Sequence, residues 1–139
     1  MPHPHHARRT IIAISVLSCA TCFAGLLFAQ NGSPDIPRGV TTKVLGNIDL
    51  NGQINDIAGR QLRARLATME PGGHLPVHNH AGRPTLEYIL QGTVIEVRNG
   101  VEIPHKAGDV VIATHDVSHG WENRSTAQVM LLPVDIYKP

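Results

Sequence analysis

Beyond Ser33 no window of about ten residues or more carries apolar residues at helical spacing; short alternating segments take its place. Gly, Pro and Asn interrupt the chain at close intervals, leaving runs of strand length. Lys43 to Leu50 is a candidate strand, closed by Asn51-Gly52. Leu62 to Met69 alternates, with Leu62, Ala64 and Leu66 on one face and Arg63 and Arg65 on the other, the period of a half-buried strand. Pro71-Gly72-Gly73 turns the chain. Leu86 to Gln91 and Thr93 to Arg98 follow, and Asn99-Gly100 before Val101–Ile103 has the signature of a tight hairpin with positive φ angles. Asp109 to Ala113 is a short apolar strand entered through Gly108. Ala127 to Tyr137 makes a last strand pair, interrupted at Pro133. Many short strands and no helix predict an all-β sandwich or barrel.

With 139 residues there is room for one domain, and 4% aromatic content leaves its core to Val, Ile, Leu and Ala. The N-terminal part reads separately. Arg8-Arg9, an apolar run from Ile11 to Ala29 and the polar Gln30–Asp35 stretch describe an export signal over residues 1–29. The run is also long enough for an uncleaved membrane anchor helix. Arg-Arg-Thr-Ile-Ile resembles a twin-arginine signal, and Val16-Leu17-Ser18-Cys19 loosely resembles a lipoprotein box. Both expectations place the protein in the periplasm or outside the cell. Residues 30–42 form a linker or arm, and 43–139 the barrel. Cys19 and Cys22 both fall in the apolar run, so the barrel contains no cysteine and no thiol chemistry. Setting residues 1–29 aside leaves ten basic against eleven acidic residues, which offers no electrostatic case for nucleic acid.

The chemistry lies in histidine. His78 and His80, at i and i+2 of a strand, project from one face and reach one divalent cation together. A His-x-His pair on the wet face of a strand explains the same residues without a metal. A second segment, Gly108-Asp109 through His119 to Asn123, changes the balance. Together the two segments resemble the paired motifs of the cupin family. Gly72, His78, His80 and Gly92 fall into its first motif, and Gly108, His119 and Asn123 into its second, with Thr114 and Asp116 in place of the usual Pro and Gly. The resemblance runs from about His74 to Asn123. It implies a jelly-roll β-barrel, a divalent metal (Fe, Mn, Zn, Ni or Cu) on His78, His80 and His119, a small-molecule ligand, and by analogy a homodimer.

The family's glutamate is missing. Its spacing lands on Thr85, which does not replace a carboxylate ligand. Glu87, two residues on and on the same face, is a candidate fourth ligand; the alternative is a solvent-facing Glu87 with water completing the shell. Glu96 is a remoter candidate. His74 and Tyr88 are candidates for the mouth of the pocket. Trp121 either shapes that pocket or fills the core, and Arg83 either grips an anionic ligand or is a solvated loop charge. His105 reads as exposed, and His115 as a turn residue. Three imidazoles leave open positions on a metal, as substrate or O₂ binding requires. The expected function is a dioxygenase-like metalloenzyme acting on a small organic molecule, or alternatively a non-catalytic metal-dependent binding or sensory module.

Overall fold

The structure, a computed structural model, describes residues 35–139, and every regular element in that range is a strand. The expected signal or anchor at 1–29, with both cysteines, lies outside the described residues. No helix among the described residues is long and apolar enough to cross a membrane.

Eight strands follow one another: β1 (Arg38–Asp49), β2 (Gln61–Asn79), β3 (Thr85–Gln91), β4 (Thr93–Arg98), β5 (Val101–Lys106), β6 (Val110–Ala113), β7 (Ser118–Glu122) and β8 (Val129–Tyr137). They form one antiparallel sheet in the order β5-β4-β7-β2-β8-β3-β6, with β1 paired to β2. Consecutive strands are rarely neighbours, because the sheet curls and the chain crosses it, as in a jelly roll. The Asn99-Gly100 hairpin forms as expected, at φ angles of 52° and 75°.

Three boundaries differ from the sequence expectation. β1 starts at Arg38, so part of the expected 30–42 arm is strand. Pro71-Gly72-Gly73 does not end a strand. β2 bends there and continues to Asn79, pairing with β8 before the bend and with β7 after it. Asn123 holds the bend: its Nδ2 donates to the carbonyls of Met69, Glu70 and Ala127, and its backbone exchanges hydrogen bonds with Gly72 and Gly73. The motif asparagine is therefore structural. The third difference is β8, a single strand running straight through Pro133. Pro133 faces Glu87 on β3 and falls in a gap of the β2–β8 ladder, where no amide is needed.

The alternation in β2 has an unexpected orientation. The leucine face looks outward, where Leu62 and Ala64 share a groove with Ile48 and Val134. The arginine face looks into the barrel, where Arg63 and Arg65 meet the buried Asp135 of β8. Leu86, Leu90 and Ile112 likewise face out, leaving an apolar outer surface on β3 and β6. The core proper is narrow: Met69, Ile89, Val94, Val111, Trp121, Val129 and Leu131, with Val40, Ala67 and Leu75 against it.

Gly120 couples this fold to the histidines. Between Leu75 and His78 the register of β2 against β7 slips, which sets His78 directly opposite His119. The bulged backbone passes over Gly120, where a Cβ would lie 2.7 Å from the Leu75 carbonyl oxygen and 2.9 Å from the Val77 nitrogen. Gly120→Ala is expected to lower unfolding stability by about 1–3 kcal/mol, as overpacking against backbone does. Urea denaturation checks this, and an unchanged midpoint would show that the strands separate freely.

Candidate metal centre

His78 sits at the end of β2, His80 is the first residue beyond it, and His119 sits opposite on β7. Each ring is fixed from behind through Nδ1. His78 Nδ1 donates to the Pro76 carbonyl at 3.0 Å. His80 Nδ1 lies 2.8 Å from Thr85 Oγ1, whose hydroxyl donates onward to the Arg83 carbonyl. His119 Nδ1 donates to Glu96 Oε1 at 2.6 Å. Carbonyl and carboxylate oxygens accept only, and the Thr85 hydroxyl spends its proton on Arg83, so each Nδ1 donates; in the neutral ring this leaves the lone pair on Nε2.

Those Nε2 atoms converge. His80 Nε2 is 3.0 Å from His119 Nε2 and 3.3 Å from His78 Nε2, and the three ligand atoms all lie within 4.8 Å of one another. With no proton between them, the lone pairs repel unless a cation accepts all three. Nitrogens about 2.1 Å from one ion, at angles of about 90–105°, are separated by about 3.0–3.3 Å. The donor set and its spacing fit a divalent metal. Burial pushes His80 down to about 4 and lowers His78 as well, so both rings are neutral and ready to ligate at neutral pH.

The other sequence candidates are sorted by the geometry. Thr85, at the position of the family's glutamate, supports His80 from behind instead of facing the centre. Glu96 also stands behind the centre, buried, and is held near pH 2 by His119, His105 and Arg98 against the cost of burial. His105 is not the exposed residue expected: its Nε2 donates to Glu96 Oε2 at 2.9 Å. Glu87 is not solvent-facing but 4% exposed, and it stands outside the three-histidine cluster. It lines the cavity beside His78, where burial raises its carboxyl above the ordinary range against the pull of His119 and Arg65.

That cavity holds about 60 Å³ and is walled by Met69, Leu75, Trp121 and Leu131 as well as His78 and Glu87. Trp121 fills both expected roles, being a core residue and packing edge-on to the His119 ring at 5.2 Å. Arg83 reaches the cavity, and its guanidinium lies 3.5 Å from Asp135, so it is no free loop charge. Arg65, for which the sequence predicts no role, lines the cavity too and donates through Nη2 to Asp135 at 3.0 Å. Its alternation on β2 was the available signal. His74 lies elsewhere, bonded to Asp35 at 2.6 Å in a separate hollow, and Tyr88 is on the outer face. His115 occupies the expected turn.

A family model described as a cupin domain matches residues 65–137, more than half of the chain. An oxalate-binding protein of Thermotoga maritima is 35% identical over 68 residues, 49% of this chain and 56% of that protein. The chain thus spans about half the length of this curated relative. Solved structures with the same fold include a predicted oxalate decarboxylase of Thermotoga maritima (24% identity, TM-score 0.54, covering 73% of this chain and 98% of that one). The polyketide cyclase RemF of Streptomyces resistomycificus is another (20%, TM-score 0.58, covering 72% and 66%).

The lowered histidine values set a pH window for the metal-free protein. In the unfolded chain a histidine titrates near 6.5, so between 6.5 and about 4 the unfolded state binds more protons. Stability is therefore fully present above pH 6.5 and is lost as pH falls towards 4. Urea midpoints of chelator-treated protein should drop across that interval, and drop less in His80→Gln. A midpoint that stays level in the wild type would contradict the assignment.

Proposed function

We propose that this chain, which belongs to the cupin domain family, holds a divalent metal on His78, His80 and His119 and binds a small carboxylate in the adjoining cavity. One observation carries the reading. Two residues that line this cavity, Arg65 and Glu87, each carry a buried polar atom, Nε and Oε2, without a hydrogen-bond partner among the described residues. Leaving such groups dry costs about 1–3 kcal/mol each, more when charged. A ligand with one anionic end and one hydrogen-bonding group relieves both.

Charge supports the same class. Arg63, Arg65 and Arg83 gather on one aspartate, so even with Glu87 ionised this side of the barrel carries excess positive charge before any metal is added. Desolvation lowers the Arg65 value despite Asp135, the mark of a cation short of anionic partners. The small volume favours an acid of only a few heavy atoms, consistent with the oxalate-binding relative. When bound, a divalent metal supplies Lewis acidity to the ligand oxygen it meets. Arg65 and Arg83 orient the carboxylate, Glu87 exchanges a hydrogen bond with it, and the Met69–Leu131 wall excludes water. A second reading, oxidation of the bound acid by O₂ as in a dioxygenase, is favoured by the open side that three donors leave on a metal.

Calorimetry on metal-loaded protein with oxalate, glycolate and pyruvate, and with their amides, tests the class. At least one acid should bind while its amide does not. Arg65→Met should weaken that acid by about tenfold or more, the worth of a charge-assisted hydrogen bond, with metal content unchanged. Equal binding of acid and amide, or no effect of Arg65→Met, would refute it. Oxygen consumption in the same samples separates turnover from binding.

A further inference from the structure

Glu96 is a buried carboxylate bonded by His119, Arg98 and His105, and its two oxygens are used differently. Oε1 receives the His119 Nδ1 proton at 2.6 Å and also the Arg98 Nε–H at 2.7 Å. Oε2 receives the His105 Nε2–H at 2.9 Å, and it has no other partner among the described residues. Oε1 thus meets His119 and the Arg98 guanidinium, whose Nη2 also lies 2.6 Å away, whereas Oε2 is held by His105 alone among the described residues. The group is 1% exposed, so no solvent replaces a lost donor.

His105 touches the centre by a second, purely packing route. Its ring meets Trp121 edge-on at 5.8 Å, and Trp121 in turn meets His119 at 5.2 Å. It belongs to β5, which supplies no member of the triad, and it lines a separate groove with Pro104, Lys106 and Arg124.

We propose that His105 is a positioning residue for the metal centre: by holding Glu96 Oε2 it fixes the carboxylate that keeps His119 in its Nδ1–H form, with Nε2 aimed at the ion. The inference rests on the metal reading above and extends it to a residue that does not touch the ion. Partners behind ligating histidines typically change metal affinity by about 10–100-fold when removed.

Two substitutions separate hydrogen bonding from packing. His105→Phe keeps a ring against Trp121 and loses the donor; His105→Gln loses the ring and keeps an N–H near the Nε2 position. Co(II) is the probe, its affinity read by chelator competition and its geometry by the visible ligand-field spectrum. His105→Phe should bind Co(II) about tenfold or more weakly, with an altered spectrum, while its metal-free form melts near the wild-type temperature. His105→Gln should bind close to wild type. If His105→Phe does not fold, His105→Asn, too short to reach Glu96, takes its place. Wild-type affinity and spectrum in the donor-less variant would overturn the proposal and leave the metal reading standing. Equal losses in His105→Gln and His105→Phe would overturn it in favour of a structural role. A wild-type chain that takes up no Co(II) would remove both.

Discussion

Three imidazole nitrogens held within 4.8 Å of one another, two pairs of them at 3.0 and 3.3 Å, repel when all carry lone pairs, and much of the barrel is arranged to keep them there. Each ring has its proton committed to an acceptor behind it: the Pro76 carbonyl, Thr85 Oγ1 and the Glu96 carboxylate. The backbone follows the same requirement. The slipped register of β2 over Gly120 brings His78 opposite His119, and Asn123 pins the bend that lets one strand serve both halves of the sheet. A cation shared by the three nitrogens would offset that repulsion, which would couple folding to metal affinity through these positions.

The second constraint is a barrel interior that carries charge. A small all-β core usually buries its aliphatic face, but here β2 turns Leu62 and Ala64 outward and Arg63 and Arg65 inward. Asp135 makes this tolerable by binding three guanidinium groups from a fully buried position. A buried ion cluster contributes little to stability compared with an apolar replacement, and breaking it by removing one partner is costly. Its value is positional: it sets fixed cationic donors beside the candidate metal centre, on residues that line the cavity with Glu87.

Much of this was legible in the sequence, for reasons that differ by residue. The period-2 spacing of His78 and His80 and the two-part motif ending in His119 and Asn123 were sufficient to bring the right histidines together. The Asn99-Gly100 hairpin was readable because its turn depends only on local φ preferences. The direction of the β2 alternation was not. A strand with a leucine face and an arginine face looks the same whichever side is buried, and the deciding partner, Asp135, lies 70 residues away. The sequence offers Glu96 only as a remote ligand candidate and His105 as exposed, because their contact spans the β4–β5 hairpin and is set by how the two strands pair. At Thr85 the family pattern identified the departure correctly, but the backup for His80 became visible only with the hydroxyl in place.

Everything built around His78, His80 and His119 depends on whether their three nitrogens hold an ion. Elemental analysis of the chain, purified without chelator and desalted, measures this directly. It should give close to one divalent transition-metal ion per chain in the wild type, and none in His78→Ala or His119→Ala with the fold retained by circular dichroism. Metal-free wild type that takes up no ion on reconstitution, or full occupancy in both variants, would contradict the centre described above.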